Sequence, residues 1–137
     1  MPDKSVTKTA TCLCGSVSFT TTGIDKGTVI CHCSNCQRYS GSPFMHNTRL
    51  VNSETTFQKG EDVIKKYEDR DTKNGNLLER WFCSNCGSPM MFKSPTGSAG
   101  FIGLQSGTLQ EREKPFRELY GENKHSWLGD LVGKAKL

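Results

Sequence analysis

Cys31-His32-Cys33-Ser34-Asn35-Cys36 places three cysteines within six residues, and the rest of the chain is best read outward from it. Two further clusters flank it, Cys12-Leu13-Cys14-Gly15 before and Cys83-Ser84-Asn85-Cys86-Gly87 after. All seven cysteines fall in these clusters, and Cys33-Ser34-Asn35-Cys36 recurs residue for residue as Cys83-Ser84-Asn85-Cys86. Cysteines two or three residues apart on a tight turn can aim two sulfurs at one ion, while backbone N–H groups of the turn donate to those sulfurs. Gly15 and Gly87 suit the left-handed conformation such turns demand. Isolated buried cysteines often act as small hydrophobes, but clustering of this kind does not fit that use. A disulfide framework is disfavoured by the odd count, and a Cys-x-Cys pair bridges only with strain. The clusters therefore read as zinc ligands.

Seven ligands divide into four plus three. Structural zinc sites are closed by four protein ligands, whereas catalytic ones use three and keep a position for water or substrate. The repeated Cys-Ser-Asn-Cys could make Cys33, Cys36, Cys83 and Cys86 the closed set, leaving Cys12, Cys14 and Cys31. The matching shape of the two glycine-followed pairs favours Cys12, Cys14, Cys83 and Cys86 instead, with Cys31, Cys33 and Cys36 wrapping a second ion from one loop.

Around the clusters the chain reads as mostly β. Ser16 to Thr22 alternates with period two, and Gly23 is expected to close that strand. Short runs rich in branched and aromatic residues follow at 28–30, 44–50, 63–67, 79–82, 90–92 and 101–104, parted by Gly60-Glu61-Asp62, Asn74-Gly75-Asn76 and Ser94-Pro95-Thr96-Gly97. Little helix is expected: a turn after Cys36 and a short segment near 128–132. At 137 residues the chain is the size of one domain, 1–137, with a single core over about 11–128 and a tail from Gly133 that frays.

The formal charge of +4 counts every thiol as neutral. With seven thiolates around two zinc ions it falls to about +1, because binding strips the thiol protons. Lys and Arg are scattered, the densest runs being Lys65-Lys66 and Lys134 to Lys136, which argues against nucleic-acid binding. No apolar stretch has the length of a membrane span, and the opening MPDKSVTKTATC is polar from its second residue. A cytoplasmic location is expected, with the nucleus as a further one.

The seven cysteines in this order, with Gln37-Arg38 and Ser40-Gly41-Ser42-Pro43 after the central cluster and Phe82 and Ser88 around the last, resemble the glutathione-dependent formaldehyde-activating enzyme family, also called the centromere protein V family. The resemblance runs from Thr11 to about Trp127. Gly107-Thr108-Leu109 looks like the family's late glycine-x-leucine strand and Ser126-Trp127 like its near-terminal tryptophan. Two positions depart: Gln110 stands where many members have aspartate, and Glu118 where they often have histidine.

The resemblance implies a small zinc-stapled, β-tent-like domain with a structural zinc on the outer pairs and a catalytic zinc on Cys31, Cys33 and Cys36. It implies a carbon–sulfur lyase that joins glutathione and formaldehyde into S-hydroxymethylglutathione. Three thiolates leave such a zinc electron-rich, better suited to holding a substrate thiol than to acidifying water. Glutathione carries two carboxylates, and Arg38, Arg49 and Lys93 are the candidate cations. His32 is a loop side chain or an extra ligand, while Tyr39, Phe44, Trp81 and Phe92 pack the core or the site wall. The alternative is a non-catalytic zinc-stabilised interaction module, or an enzyme acting on another thiol or electrophile; a fourth ligand from His32, His46 or Asp25 would favour the module.

Overall fold

The computed structural model describes residues 4–133, so Lys134 to Lys136, and the tail expected to fray beyond Gly133, lie outside the described residues. Eight strands form one sheet: β1 Ser5–Thr11, β2 Ser18–Cys31, β3 Met45–Lys59, β4 Ile64–Asp69, β5 Leu78–Cys83, β6 Pro89–Lys93, β7 Ile102–Gln105 and β8 Arg117–Leu119. The hydrogen-bonded path is β1-β2-β3-β7-β6-β5-β4, antiparallel throughout. One helix, α1 Ser34–Ser40, and two single 3₁₀ turns, Ser106–Thr108 and Gly121–Asn123, complete the secondary structure among the described residues. The chain is thus mainly β with little helix.

The two runs expected at 16–22 and 28–30 are one strand. Gly23 does not end it, because a Cβ there would lie 2.9 Å from the Val51 carbonyl oxygen and only glycine lets β3 approach so closely. Register shifts between Thr22 and Ile24 and between Asp25 and Thr28 bend β2 instead of stopping it. The bend divides the strand's outer edge. Its first half pairs with β1, and Val29 to Cys31 pair with β8, which runs parallel to it.

β1, β8 and the extension of β3 to Lys59 were not expected from the sequence. The segment 128–132 is not helical, and Gly107-Thr108 lies in a 3₁₀ turn, with Leu109 making an isolated bridge to Ala10 in place of a strand.

The apolar interior forms two clusters. The larger packs Ala10, Val17, Phe19, Leu50, Met90 and Leu104 with Cys12 and Cys83. The smaller surrounds Cys31, Cys33 and Cys36 with Met45 and Phe92, flanked by Leu78, Phe101, Leu119 and Tyr120. Each cysteine cluster therefore has its own packing environment.

Candidate metal centres and the adjoining cavity

The sulfurs of Cys12, Cys14, Cys83 and Cys86 lie within 4.8 Å of one another, and so do those of Cys31, Cys33 and Cys36. The two Cys-Ser-Asn-Cys segments consequently contribute to different groups. The four-sulfur group joins the β1–β2 turn to the β5–β6 turn, with Cys12 and Cys14 on one and Cys83 and Cys86 on the other. Gly15 and Gly87 take left-handed φ values of 78° and 81°, which the turns need and a Cβ would strain. Val17 N–H donates to Cys12 Sγ at 3.3 Å, Cys86 N–H to Cys83 Sγ at 3.4 Å, and the Asn85 amide to Cys14 Sγ at 3.2 Å. Ser16 and Asn85 hold the Cys14 thiol down at about 7 and Ser88 holds Cys86 at about 5, while burial pushes Cys83 up to about 11, so the two outer sulfurs of the group ionise most readily.

The three-sulfur group is built where β2 ends and α1 begins. Cys31 is the last residue of β2; Cys33 is the helix N-cap, its sulfur accepting from Cys36 N–H at 3.3 Å; Cys36 sits one turn in. Hydrogen bonds from the Cys31 and Cys36 thiols hold Cys33 low, while sharing protons within the group and burial push those two up. Three buried thiols so arranged are a soft-donor set suited to a thiophilic cation such as zinc.

No histidine or carboxylate among the described residues completes this group. His46 Nε2 is 3.2 Å from the Glu113 carbonyl oxygen, and Asp25 accepts from Gly27 N–H. His32, fully buried between two of the cysteines, turns its Nε2 to Glu118 Oε1 at 2.7 Å, and Glu118 also pairs with Lys124 at 2.9 Å. The histidine thus ties the sulfur loop to β8, and Glu118 is its partner. Gln110 is exposed and uses its backbone N–H to bond Thr9.

The three sulfurs open onto a cavity of about 260 Å³, which the four-sulfur group does not line. Met45, Asn47 and Arg49 face it from alternate positions of β3, with Leu78, Phe92 and Phe101 opposite and Leu119 and Tyr120 closing one side. Its charged lining is wholly cationic: Arg49, Lys73 and Arg80. Two buried polar atoms there, Asn47 Oδ1 and Arg49 Nε, have no hydrogen-bond partner, an arrangement proteins tolerate where a ligand supplies one.

Over residues 7–129 the chain matches the family model described as glutathione-dependent formaldehyde-activating enzyme. The chain belongs to that family. Among curated proteins none matches it. A crystal structure of a Rhodobacter sphaeroides protein is similar in fold, with a TM-score of 0.56 at 18% identity over 77% of this chain and 90% of that one.

Within this formaldehyde-activating enzyme fold, the expected substrate cations separate. Arg49 lines the cavity, 5.7 Å from the centre of the Phe101 ring. Arg38 does not: it lies on the last turn of α1 and lines two open surface clefts, one with Tyr67, Asp69 and Arg80 and the other with Gln37 and His125. Lys93 also stays outside, 5.9 Å from the Trp81 ring.

Two cations were missed. Lys73, in the β4–β5 loop, lines the cavity and bonds Glu122 at 3.0 Å and Asn123 at 2.5 Å, and Arg80 of β5 lines it with its Nη1 4.0 Å from Cys36 Sγ. Neither is near a cysteine of the three-sulfur group in sequence; only the β4–β5 pairing and the period of β5 could have pointed to them. Of the aromatics, Phe92 lines the cavity, Tyr39 donates its hydroxyl to the Trp81 carbonyl, and Phe44 lies edge-on to His32. Trp127 is exposed. No helix among the described residues is long and apolar enough to cross a membrane.

Proposed function

We propose that this single-domain chain is a cytoplasmic zinc enzyme of carbon–sulfur lyase type that adds the thiol of glutathione to formaldehyde and catalyses the reverse cleavage. The observation that carries the reading is the three-sulfur group opening onto a cavity whose charged lining is entirely cationic. Glutathione presents a thiol and two carboxylates, the complement of that surface. In the forward direction the sulfur–carbon bond forms, the carbonyl π pair moves onto oxygen, and the thiol proton ends on that oxygen; the reverse breaks the same bond.

Cys12, Cys14, Cys83 and Cys86 would hold one zinc as a closed structural site, and Cys31, Cys33 and Cys36 would hold the second with one position open. That second ion supplies a Lewis-acid position at which a thiol loses its proton yet stays nucleophilic. Arg49 of the cavity lining pairs with one carboxylate, and Lys73 with the other in exchange for its contact with Glu122. Asn47 Oδ1 accepts a peptide N–H of the tripeptide, removing an unpaired buried acceptor. Met45, Phe92 and Phe101 keep bulk water from the reacting carbon and from the thiolate.

The zinc-loaded protein should contain two ions per chain by elemental analysis. Glutathione should bind in calorimetric titration more tightly than 2-mercaptoethanol, which lacks carboxylates, and formaldehyde should then be consumed with saturation in glutathione. Absence of glutathione binding at millimolar concentration to the two-zinc protein would overturn the reading.

A further inference from the structure

Arg80 is among the most buried charged residues of the molecule, 3% exposed, and the chemistry above leaves it without a task. Its Nε donates to Asp69 Oδ2 at 2.8 Å, its guanidinium lies 5.1 Å from the Tyr39 ring centre, and its Nη1 faces Cys36 Sγ at 4.0 Å. Asp69, at the end of β4, accepts from the Asn35 amide at 3.2 and 3.0 Å and from Asp71 N–H at 3.2 Å. Asn35 lies between Cys33 and Cys36, so the contacts form a ring. They leave α1 at Asn35, cross β4 at Asp69 and β5 at Arg80, and return to α1 at Cys36.

A guanidinium kept only for an ion pair does best with both edges on its carboxylate. Here Asp69 takes the Nε edge and the far end is turned to sulfur, giving an oriented pair with its positive end on the ligand. Three thiolates around a divalent cation carry one net negative charge, and a buried charge is costly unless an opposite one stands beside it. A guanidinium stays protonated in proteins, so Arg80 supplies that opposite charge.

We propose that Arg80 is the positioning residue of the three-sulfur site: aimed by Asp69 and Asn35, its guanidinium stands against Cys36 Sγ, orients that ligand and offsets the negative charge of three thiolates on one divalent cation, and so sets how tightly that site holds a thiophilic divalent cation. The proposal rests on the reading that Cys31, Cys33 and Cys36 bind zinc, and it concerns metal retention, which is measured without turnover.

The test loads the full chain with zinc, counts ions, and titrates with a chromogenic chelator. The wild type should surrender the ion of the three-sulfur site first and that of the four-sulfur site last. Arg80→Met should release the first ion at about tenfold lower chelator concentration or less, the size expected for loss of an outer-shell partner, with the second unchanged. Arg80→Lys should recover part of the loss, since it restores charge without the fork, and Asp69→Asn should shift release in the same direction by a smaller factor. Release of the first ion at the wild-type concentration in Arg80→Met would overturn the proposal. So would parallel loss of both ions with no rescue by lysine, the result of a merely structural role. If Arg80→Met does not fold, Asp69→Asn decides on the same measurement, unchanged release counting against the proposal. A wild-type chain that takes up only one ion would overturn the zinc reading itself, and is seen before any variant is made.

Discussion

Cys33-Ser34-Asn35-Cys36 and Cys83-Ser84-Asn85-Cys86 are the same four residues placed in different surroundings: the first opens a helix at the end of β2, the second makes the turn between β5 and β6. Within each, the last cysteine's N–H donates to the first one's sulfur, at 3.3 and 3.4 Å. The asparagines then diverge. Asn85 donates directly to Cys14 Sγ, a sulfur brought from the other hairpin, whereas Asn35 turns away from the sulfurs to Asp69. The fourth sulfur makes the second copy part of a closed staple set against the larger apolar cluster. The first copy has no fourth sulfur, and a cavity stands beside it. Local sequence sets the turn that aims two sulfurs; what the sheet brings opposite determines whether the site is closed or open.

Exchanging one sulfur in each group should expose that contrast most strongly. In the presence of zinc, Cys83→Ser should cost several kcal/mol or prevent folding, because the staple couples metal binding to the joining of two distant hairpins. Cys36→Ser should leave a folded protein with about 1–2 kcal/mol less stability and one ion instead of two, read by thermal denaturation and elemental analysis. Equal losses would erase the distinction between structural and open groups.

A smaller effect is expected from Gly103→Ala in β7. The new Cβ would lie 2.1 Å from the ring of Phe92, a residue that lines the cavity. Overpacking of that kind costs about 1–3 kcal/mol. It should also weaken glutathione binding while both zinc ions stay in place, confining the damage to the open side.

The smallest expected change sharpens the placement of the cations. Arg49→Ala should weaken glutathione binding about tenfold, or ~1.4 kcal/mol, and Arg38→Ala should leave it within about twofold. Calorimetry with both variants measures this, and a larger effect from Arg38 would show that the tripeptide lies outside the cavity.

The aiming of sulfurs within each cluster was legible because it depends on turns of three to six residues, where spacing and a following glycine determine geometry; that the two outer pairs meet depends on the sheet, and the matching shape of the pairs was the signal for it. Most strands were legible for the same local reason, through alternation and turn residues. β8 was not, since three residues of parallel strand gain stability only from the edge of β2 left free beyond β1. The continuity of β2 was hidden by Gly23, which reads as a stop in isolation and is a close approach to Val51 in the fold. Arg38 looked favourable from its nearness in sequence to Cys36, yet two residues, about half a helical turn, carry it to the opposite, outer face of α1. Arg49, Lys73 and Arg80 reach the cavity through strand pairing and loop closure, which link residues far apart in the chain.

The place of β8 beside β2 bears on the order in which the molecule is completed. Synthesis proceeds from the amino terminus, so all seven cysteines, the last of them Cys86, emerge before Leu119 and Tyr120, which close one side of the cavity. All three ligands of the inner group are present while that side is still missing, whereas β6 and β7, the strands that join β5 to β3, follow Cys86 in the chain. The His32–Glu118 contact then fastens the late segment to the loop that carries the three sulfurs. A nascent chain halted shortly after Cys86 would hold its full set of sulfur ligands but only part of the pocket they serve.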